Sequence, residues 1–130
     1  MSTSISRGPV IIDTCVWVEH MHHEVDAVRQ LCDERRARVH PDVLGEVLLG
    51  CGAERALLAM RLRYLDAVPR LGHAKLESLI ELHGIACKRI GWVDAGLLCT
   101  ALVSPGQTTV LTFDKRLLRE ALRLGVAFSG

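Results

Sequence analysis

Short apolar runs along this chain alternate with longer segments in which apolar residues recur every three or four positions. Residues 10–12 and 108–112 are rich in β-branched residues, which is typical of short strands buried on both faces. Weaker strand patterns occur around residues 38–40, 66–71 and 127–128. Strands that alternate with helices are typical of a parallel sheet covered by helices on both sides. We therefore predict a three-layer α/β/α structure with a central parallel sheet of four to five strands.

Helical spacing of apolar residues predicts the segments between the strands to be helices, over residues 15–20, 25–36, 41–51, 53–64, 76–83, 91–102 and 115–124. Pro41 suits the first position of its helix, because its missing N–H costs nothing there. Thr14 is the expected cap of the first helix. The helix over residues 91–102 is apolar nearly all round, so it is expected to be buried, and Asp94 is its only charge.

Length and composition set the broad class. The 130 residues suit one domain over residues 1–130. Residues 1–8 are polar, and we expect them to form a flexible tail. They lack the apolar core of a signal peptide. The formal net charge of +1 argues neither for nor against a nucleic-acid partner, so any anion-binding patch must be local. The uncharged stretch 95–113 contains a turn cluster, and we expect no membrane span.

Two groups of potential metal ligands favour ordinary structural explanations. The five cysteines include no CxxC pair, so we expect small buried thiols in a reducing cytoplasm. The histidine-rich segment 20–23 lies beside Glu19 and Glu24, but its spacing matches no standard zinc pattern. We expect it to be a solvated loop.

Four acidic residues have a different distribution. Asp13 follows the first strand and Asp114 follows the strand at 108–112, while Glu46 and Asp94 lie on helices with few other charges. Ligands of open α/β sheets bind at the carboxyl ends of the strands, where these acids could meet. Taken singly, each has a simple explanation, since Asp94 and Asp114 suit helix starts and Glu46 suits an exposed helix face.

A pocket that holds all four carboxylates would need a compensating charge. Two such charges ~4 Å apart repel by ~4 kcal/mol at an effective dielectric constant of ~20. Some of them must then bind protons, or a cation must be present. Oxygen ligands favour Mg²⁺ or Mn²⁺ over zinc. A divalent ion held in this way can bind phosphate oxygens and activate water, which is the chemistry of phosphodiester hydrolysis.

Four motifs carry a family resemblance. Residues 12–17, 45–50, 91–95 and 112–117 read IDTCVW, GEVLLG, GWVDA and TFDKRL. In this order and at roughly this spacing, the motifs resemble those of PIN-domain ribonucleases, and within them the VapC-type toxins of bacterial toxin–antitoxin pairs. The resemblance covers nearly the whole chain and implies a PIN-like (Rossmann-like) fold.

The resemblance also implies an active site and partners. The positions that match the family's acids would bind Mg²⁺ or Mn²⁺, and they are Asp13, Glu46, Asp94 and Asp114. Thr14 and Thr112 would place hydroxyls beside them. Family members cleave RNA, usually leaving a 5′-phosphate and a 3′-hydroxyl. They form homodimers and are silenced by a VapB-type antitoxin whose C-terminal segment lies in a groove.

Several points stay open at this stage. Gly96 stands where related toxins often carry histidine, and Phe113 stands where arginine is common, which affects substrate contacts more than the acids. Three basic residues follow Asp114: Lys115, Arg116 and Arg119. They either contact RNA phosphates or form a solvated helix face. A catalytically inactive PIN-like binding module is the alternative function. A phosphoaspartyl enzyme is disfavoured, because Cys15 stands where an Asp-x-Asp motif needs its second acid.

Overall fold

A computed structural model describes residues 7–130 and contains a small parallel sheet. Its strands are β1 (Val10–Ile12), β2 (Ala37–Arg38) and β3 (Thr109–Leu111). β1 lies between the other two, so the strand order is β2-β1-β3. Val10 pairs with both Ala37 and Thr109, which brings the carboxyl ends of β1 and β3 together. All of β1 is buried, as its apolar run predicts.

Seven helices within the described residues connect and flank the strands: α1 (Thr14–His22), α2 (Asp26–Asp33), α3 (Pro41–Leu49), α4 (Ala53–Leu62), α5 (His73–Leu82), α6 (Trp92–Val103) and α7 (Lys115–Arg123). Their order confirms a mixed α/β structure with a parallel sheet. α6 is the most deeply buried helix, with a continuous buried segment over residues 95–101, as its apolar composition predicts.

The predicted sheet of four to five strands is wrong for the described residues, because two of the expected strands form only single bridges. Val39 pairs with Ala67, and Val110 pairs with Ala127, both in the parallel sense. The Val39 N–H donates to the Asp66 carbonyl and the Val68 N–H donates to the Val39 carbonyl. The next donor of this ladder would be residue 41, which is a proline and has no N–H. The second extended segment begins only after the turn at Gly125, whose φ is 74°. Both segments lie at the edges of a three-stranded sheet.

Helix contacts divide into two groups. α1, α3 and α4 pack on one another, while α6 contacts α5, α7 and β3. The chain moves across the sheet in one direction when it passes from β1 to β2 and from β2 to residues 66–68. It moves in the opposite direction when it passes to β3 and then to residue 127. Right-handed crossovers of opposite shift place their helices on opposite faces of a sheet. This rule agrees with the two contact groups.

Helix ends differ from the prediction at two places. Asp13, not Thr14, is the N-cap of α1, because its side chain accepts a hydrogen bond from the Thr14 N–H at 2.8 Å. The segment predicted as a histidine-rich loop forms the last turn of α1 and its C-cap, His23. His20 is fixed there, since its Nδ1 accepts a hydrogen bond from the Val25 N–H at 2.9 Å.

The predicted burial of the cysteines is also largely wrong. All five thiols are free, but only Cys99 is buried, and Cys32 is partly buried. Cys15 lies in the first turn of α1, Cys51 lies in the break between α3 and α4, and Cys87 lies in a loop with φ of 67°. These three are exposed because apolar sequence neighbours do not fix the direction of a side chain at a helix end or in a loop.

The amino-terminal residues are described only from Arg7 onward, so the tail predicted over residues 1–8 lies mostly outside the described part. Arg7 lies 3.5 Å from the Glu34 carboxylate, and the Gly8 carbonyl accepts a hydrogen bond from Arg36 at 3.0 Å. No helix within residues 7–130 has the length and hydropathy needed to cross a membrane.

Candidate active site

An open cleft of about 470 Å³ lies at the carboxyl ends of β1 and β3. It is lined by all four predicted acids together with five other residues: Asp13, Thr14, Cys15, Val18, Glu19, Glu46, Arg55, Asp94 and Asp114. Each acid arrives on a different element, because β1 and β3 end at this edge while the starts of α6 and α7 and the middle of α3 face it. The fold therefore brings together residues that are 101 positions apart in sequence.

Asp13 is the most firmly held of these acids. Its side chain is only 6 % exposed. Oδ1 accepts the Thr14 N–H, while Oδ2 accepts the Thr112 hydroxyl at 2.7 Å and the Cys15 thiol at 3.3 Å. Its backbone N–H donates to the Leu111 carbonyl at 3.0 Å, which ties the residue to β3. Neutral donors thus fix the carboxylate without cancelling its charge.

Thr112 connects two of the acids. Its hydroxyl donates to Asp13 and accepts the Asp114 N–H at 3.0 Å. Asp114 caps α7, since its Oδ1 accepts the N–H groups of Arg116 and Leu117 at 2.9 and 3.0 Å. The structure therefore bears out the helix-cap interpretation of Asp114 and also places this residue in the cleft.

Thr14 connects a third acid. Its hydroxyl donates to Glu46 at 2.5 Å and so joins the start of α1 to α3. Glu46 is exposed, as expected for an isolated glutamate on a helix face, but it faces the cleft and not bulk solvent alone. Both threonines singled out in the sequence therefore contact an acid.

The electrostatics show that the acids act on one another. Burial, together with the smaller effects of the negative charges of Asp13, Asp114 and Glu46, raises the pKa of Asp94 to about 6. None of these four carboxylates forms an ion pair with a basic group in the part of the chain that is described. The cleft thus contains excess negative charge that burial makes unfavourable.

The donor set fits a hard divalent cation in chemistry. Carboxylate oxygens are the ligands that Mg²⁺ and Mn²⁺ prefer, and Mg²⁺ usually keeps several waters and takes only one or two carboxylates directly. Within residues 7–130, no three acidic, histidine or cysteine side chains form a preformed metal site. The acids share a cleft and an electric field, but they do not form a closed cage.

Some predicted residues lie away from the cleft, and others were missed. Lys115, Arg116 and Arg119 are exposed on α7 but do not line it. Arg55 does line the cleft, although its sequence position indicated only the polar side of α4. The signal that could have found it is the break at residues 50–52, which folds the start of α4 back onto α3.

Gly96 and Phe113, the two departures from the family pattern, do not line the cleft either. Gly96 borders a separate small cavity beside Trp92 and His73, whose rings are stacked with centroids 4.9 Å apart. Phe113 is 51 % exposed next to Asp114. Neither residue contributes a side chain to the acidic cluster.

A second groove, also of about 470 Å³, lies between α1, α2 and α4 and is largely apolar. Trp17, Met21, Leu57, Leu58 and Leu62 contribute much of its wall. Trp17 is 4 % exposed, and its indole N–H has no acceptor within the described residues.

Comparison with known proteins places the chain in a family. No family model matches the sequence. Over 121 residues the chain is 31 % identical to Ribonuclease VapC32 of Mycobacterium tuberculosis, found in strains CDC 1551 / Oshkosh and ATCC 25618 / H37Rv. The alignment covers 92 % of this chain and 96 % of the relative. The chain belongs to the VapC-type PIN-domain ribonucleases.

A solved structure supports the fold of this VapC-type chain. The crystal structure of PAE2754 from Pyrobaculum aerophilum superposes with a TM-score of 0.60 and covers 91 % of this chain and 96 % of its own. Sequence identity is 11 %, so this likeness concerns the fold alone. Family membership confirms the resemblance that the four motifs indicated.

Proposed function

We propose that this VapC-type protein is a metal-dependent endoribonuclease and the toxin of a toxin–antitoxin pair. The observation that carries the proposal is a cleft in which four carboxylates lie together without a basic partner, in a chain related to a ribonuclease. We further propose that the chain forms one domain, acts in the cytoplasm and assembles as a homodimer, as the family resemblance implies.

Asp13, Glu46, Asp94 and Asp114 would hold Mg²⁺ or Mn²⁺. Such an ion supplies a Lewis acid that activates water and offsets charge on phosphate oxygens. The chain itself orients the acids: Thr112 and Cys15 fix Asp13, Thr14 fixes Glu46, and the first turn of α7 fixes Asp114. A site whose groups are already oriented loses less free energy to reorganisation during the reaction.

The protonation of Asp94 links metal binding to pH. Its pKa of about 6 means that the carboxylate is mostly ionised at pH 7 and mostly protonated at pH 5. Because a protonated carboxyl is a poor ligand, protons compete with the cation at the lower pH. We therefore expect activity to rise between pH 5 and pH 7.

The apolar groove between α1, α2 and α4 is the proposed seat of the antitoxin segment. It is concave and apolar, and the Trp17 indole N–H faces no acceptor from the described chain. An amphipathic segment that laid its apolar face there would cover Leu57, which is exposed in the free chain. The ribonuclease resemblance supplies the identity of this partner.

Lys115, Arg116 and Arg119 are proposed to contact RNA phosphates outside the cleft. All three are exposed on the helix that Asp114 caps. A triple alanine variant is expected to bind single-stranded RNA more weakly, with a shallower salt dependence, because each lost phosphate contact reduces counterion release. Unchanged affinity and salt slope would identify a solvated helix face.

The direct test is cleavage of single-stranded RNA by purified protein, with Mg²⁺ or Mn²⁺ and with EDTA. Asp13→Asn and Asp94→Asn are expected to lower cleavage by about 10³-fold, since loss of metal stabilisation costs several kcal/mol. Asp33→Asn, at an exposed acid outside the cleft, is the matched control. Wild-type cleavage that persists undiminished in EDTA would contradict metal dependence, and no cleavage with either metal would favour the inactive binding module.

A further inference from the structure

Arg55 is the only basic residue among those that line the acidic cleft of the described chain. It lies in the first turn of α4 and is partly buried. Among residues 7–130, its guanidinium forms neither an ion pair nor a hydrogen bond. An arginine that shares a cleft with five carboxylates and pairs with none of them retains its hydrogen-bonding capacity for a ligand.

Gly50 provides the space in which the Arg55 side chain lies. A Cβ atom built on Gly50 would come within 2.8 Å of Cζ and 3.0 Å of Cγ of Arg55, and it would overlap Nη1. The Gly50 backbone has φ of −74° and ψ of 161°, which any residue can adopt. The glycine therefore leaves room for this position of the Arg55 side chain, and a Cβ atom there would displace the guanidinium.

Arg55 does not act as a fixed counter-ion for the acids. No carboxylate of the cleft lies within 4.0 Å of its nitrogens. Burial and, to a smaller extent, the acidic neighbours raise the pKa of Asp94, and Arg55 makes no opposing contribution. A guanidinium that neutralised the cluster would favour the charged form of Asp94 and lower its pKa. Arg55 therefore lines the same cleft as the carboxylates without forming an ion pair with them.

We propose that Arg55 binds a phosphate of the RNA strand beside the phosphate that is cleaved, and that Gly50 keeps it in position. This inference rests on the proposed ribonuclease function. The carboxylates of the cleft outnumber the two charges of one divalent ion, so the cleft still repels a polyanion, and a further positive group would favour entry of the strand. The planar fork of arginine matches phosphate oxygens in two-point contacts. Lys115, Arg116 and Arg119 do not line the cleft and so do not meet this need.

The test compares cleavage and binding of a short unstructured oligoribonucleotide at several salt concentrations. The variants are Arg55→Ala, Arg55→Lys and Gly50→Ala, with Arg63→Ala as the control at an exposed arginine that follows α4 and lines none of the three pockets described. Cleavage in Mg²⁺ gives KM and kcat. Fluorescence anisotropy in Ca²⁺ gives the RNA affinity independently of turnover.

Arg55→Ala is expected to raise KM and weaken RNA binding about tenfold, the effect of one charged hydrogen-bonded contact, while kcat stays within about twofold. The slope of log affinity against log salt should become shallower by about 0.7, the value for one phosphate on a single strand. Arg55→Lys should restore part of the affinity, and Gly50→Ala, which keeps the charge but displaces the guanidinium, should weaken binding without unfolding the protein.

An Arg55→Ala variant with wild-type KM, affinity and salt slope would overturn the proposal. So would an equal loss in Arg63→Ala, because the effect would then reflect net charge alone, and so would a fall in kcat with KM unchanged. If wild-type protein fails to cleave RNA with metal, the proposed function fails. The anisotropy titration still decides the role of Arg55 in that case.

Discussion

Two carboxylates in this protein are almost equally buried but are held in opposite ways. Glu120 on α7 is 4 % exposed, and Asp13 at the end of β1 is 6 % exposed. Glu120 accepts hydrogen bonds from Arg123 at 2.6 and 2.8 Å. Asp13 accepts bonds only from neutral groups and forms no ion pair with a basic group of residues 7–130.

This difference shows that Glu120 serves the stability of the fold, whereas Asp13 remains available to a ligand. Arg123 neutralises Glu120 and also donates to the His83 carbonyl at 3.0 Å, which joins α7 to the end of α5. At Asp13 the neutral donors set the orientation but leave the negative charge. Burying unneutralised charge is costly, so it persists where a cation can compensate it.

The largest expected effect on stability comes from breaking the neutralised pair. Arg123→Ala would leave the Glu120 carboxylate buried without its partner, and the free energy of unfolding should fall by about 2 kcal/mol. RNA cleavage per folded molecule should not change, because the pair lies outside the cleft. Chemical denaturation measures the first quantity and active-site titration normalises the second.

The control for that variant is Arg29→Ala, which removes the exposed ion pair with Glu24. An exposed pair contributes about 0.5 kcal/mol or less, so this variant should stay close to wild type. An equal loss of stability in both variants would show that burial does not distinguish the two pairs.

The next effect concerns activity and not stability, and it is expected from Thr112→Val, which preserves shape but removes the hydroxyl that orients Asp13 and Asp114. Cleavage should fall about 10- to 100-fold, the usual effect of losing a group that orients a metal ligand. Thr109→Val, at the first residue of β3, is the matched control, because its hydroxyl makes no hydrogen bond within the described residues. Wild-type cleavage by Thr112→Val would show that Asp13 does not depend on this contact.

The smallest effect concerns the metal-free protein and Asp94. Because the folded state binds the Asp94 proton more tightly than the unfolded state, its contribution to stability is present below about pH 4 and is lost as pH rises through about 6. After allowance for solvent screening, this loss amounts to about 1 kcal/mol. In EDTA, Asp94→Asn should therefore become more stable than wild type above pH 6, as measured by thermal unfolding.

If Asp94→Asn is instead less stable than wild type at pH 7 in EDTA, the side chain contributes a favourable interaction and the account of uncompensated repulsion is wrong. The same comparison in excess Mg²⁺ should reverse in sign, because the cation then stabilises the wild-type cluster.

Local pattern was sufficient for the strands and helices that are fully buried or clearly capped. The apolar run at Val10–Ile12 and the apolar helix Trp92–Val103 appear where periodicity predicts them. The apolar pattern predicted too many strands in the sheet. A run of apolar residues does not show whether the segment will form more than one bridge with a neighbouring strand, and Ala67 and Ala127 each form only one.

The site was predictable only in part, for a physical reason. Asp13 and Asp114 stand out because each follows an apolar strand, and Glu46 and Asp94 stand out because their helices carry few other charges. Thr14 and Thr112 lie within two residues of Asp13 and Asp114. Arg55 has no such signal, since its place in the cleft depends on how α4 packs on α3. The direction of Cys15 into the cleft likewise depends on Asp13, not Thr14, being the cap of α1.

Calorimetric titration of metal-free protein with Mn²⁺ at pH 5 and pH 7 tests the central claim most directly. The claim is that Asp13, Glu46, Asp94 and Asp114 form one cation site. Wild type should bind at pH 7, bind more weakly at pH 5 and release protons near pH 6, while Asp94→Asn should bind at least about tenfold more weakly and Asp33→Asn like wild type. Absence of binding, or equal binding by wild type and Asp94→Asn, would contradict it.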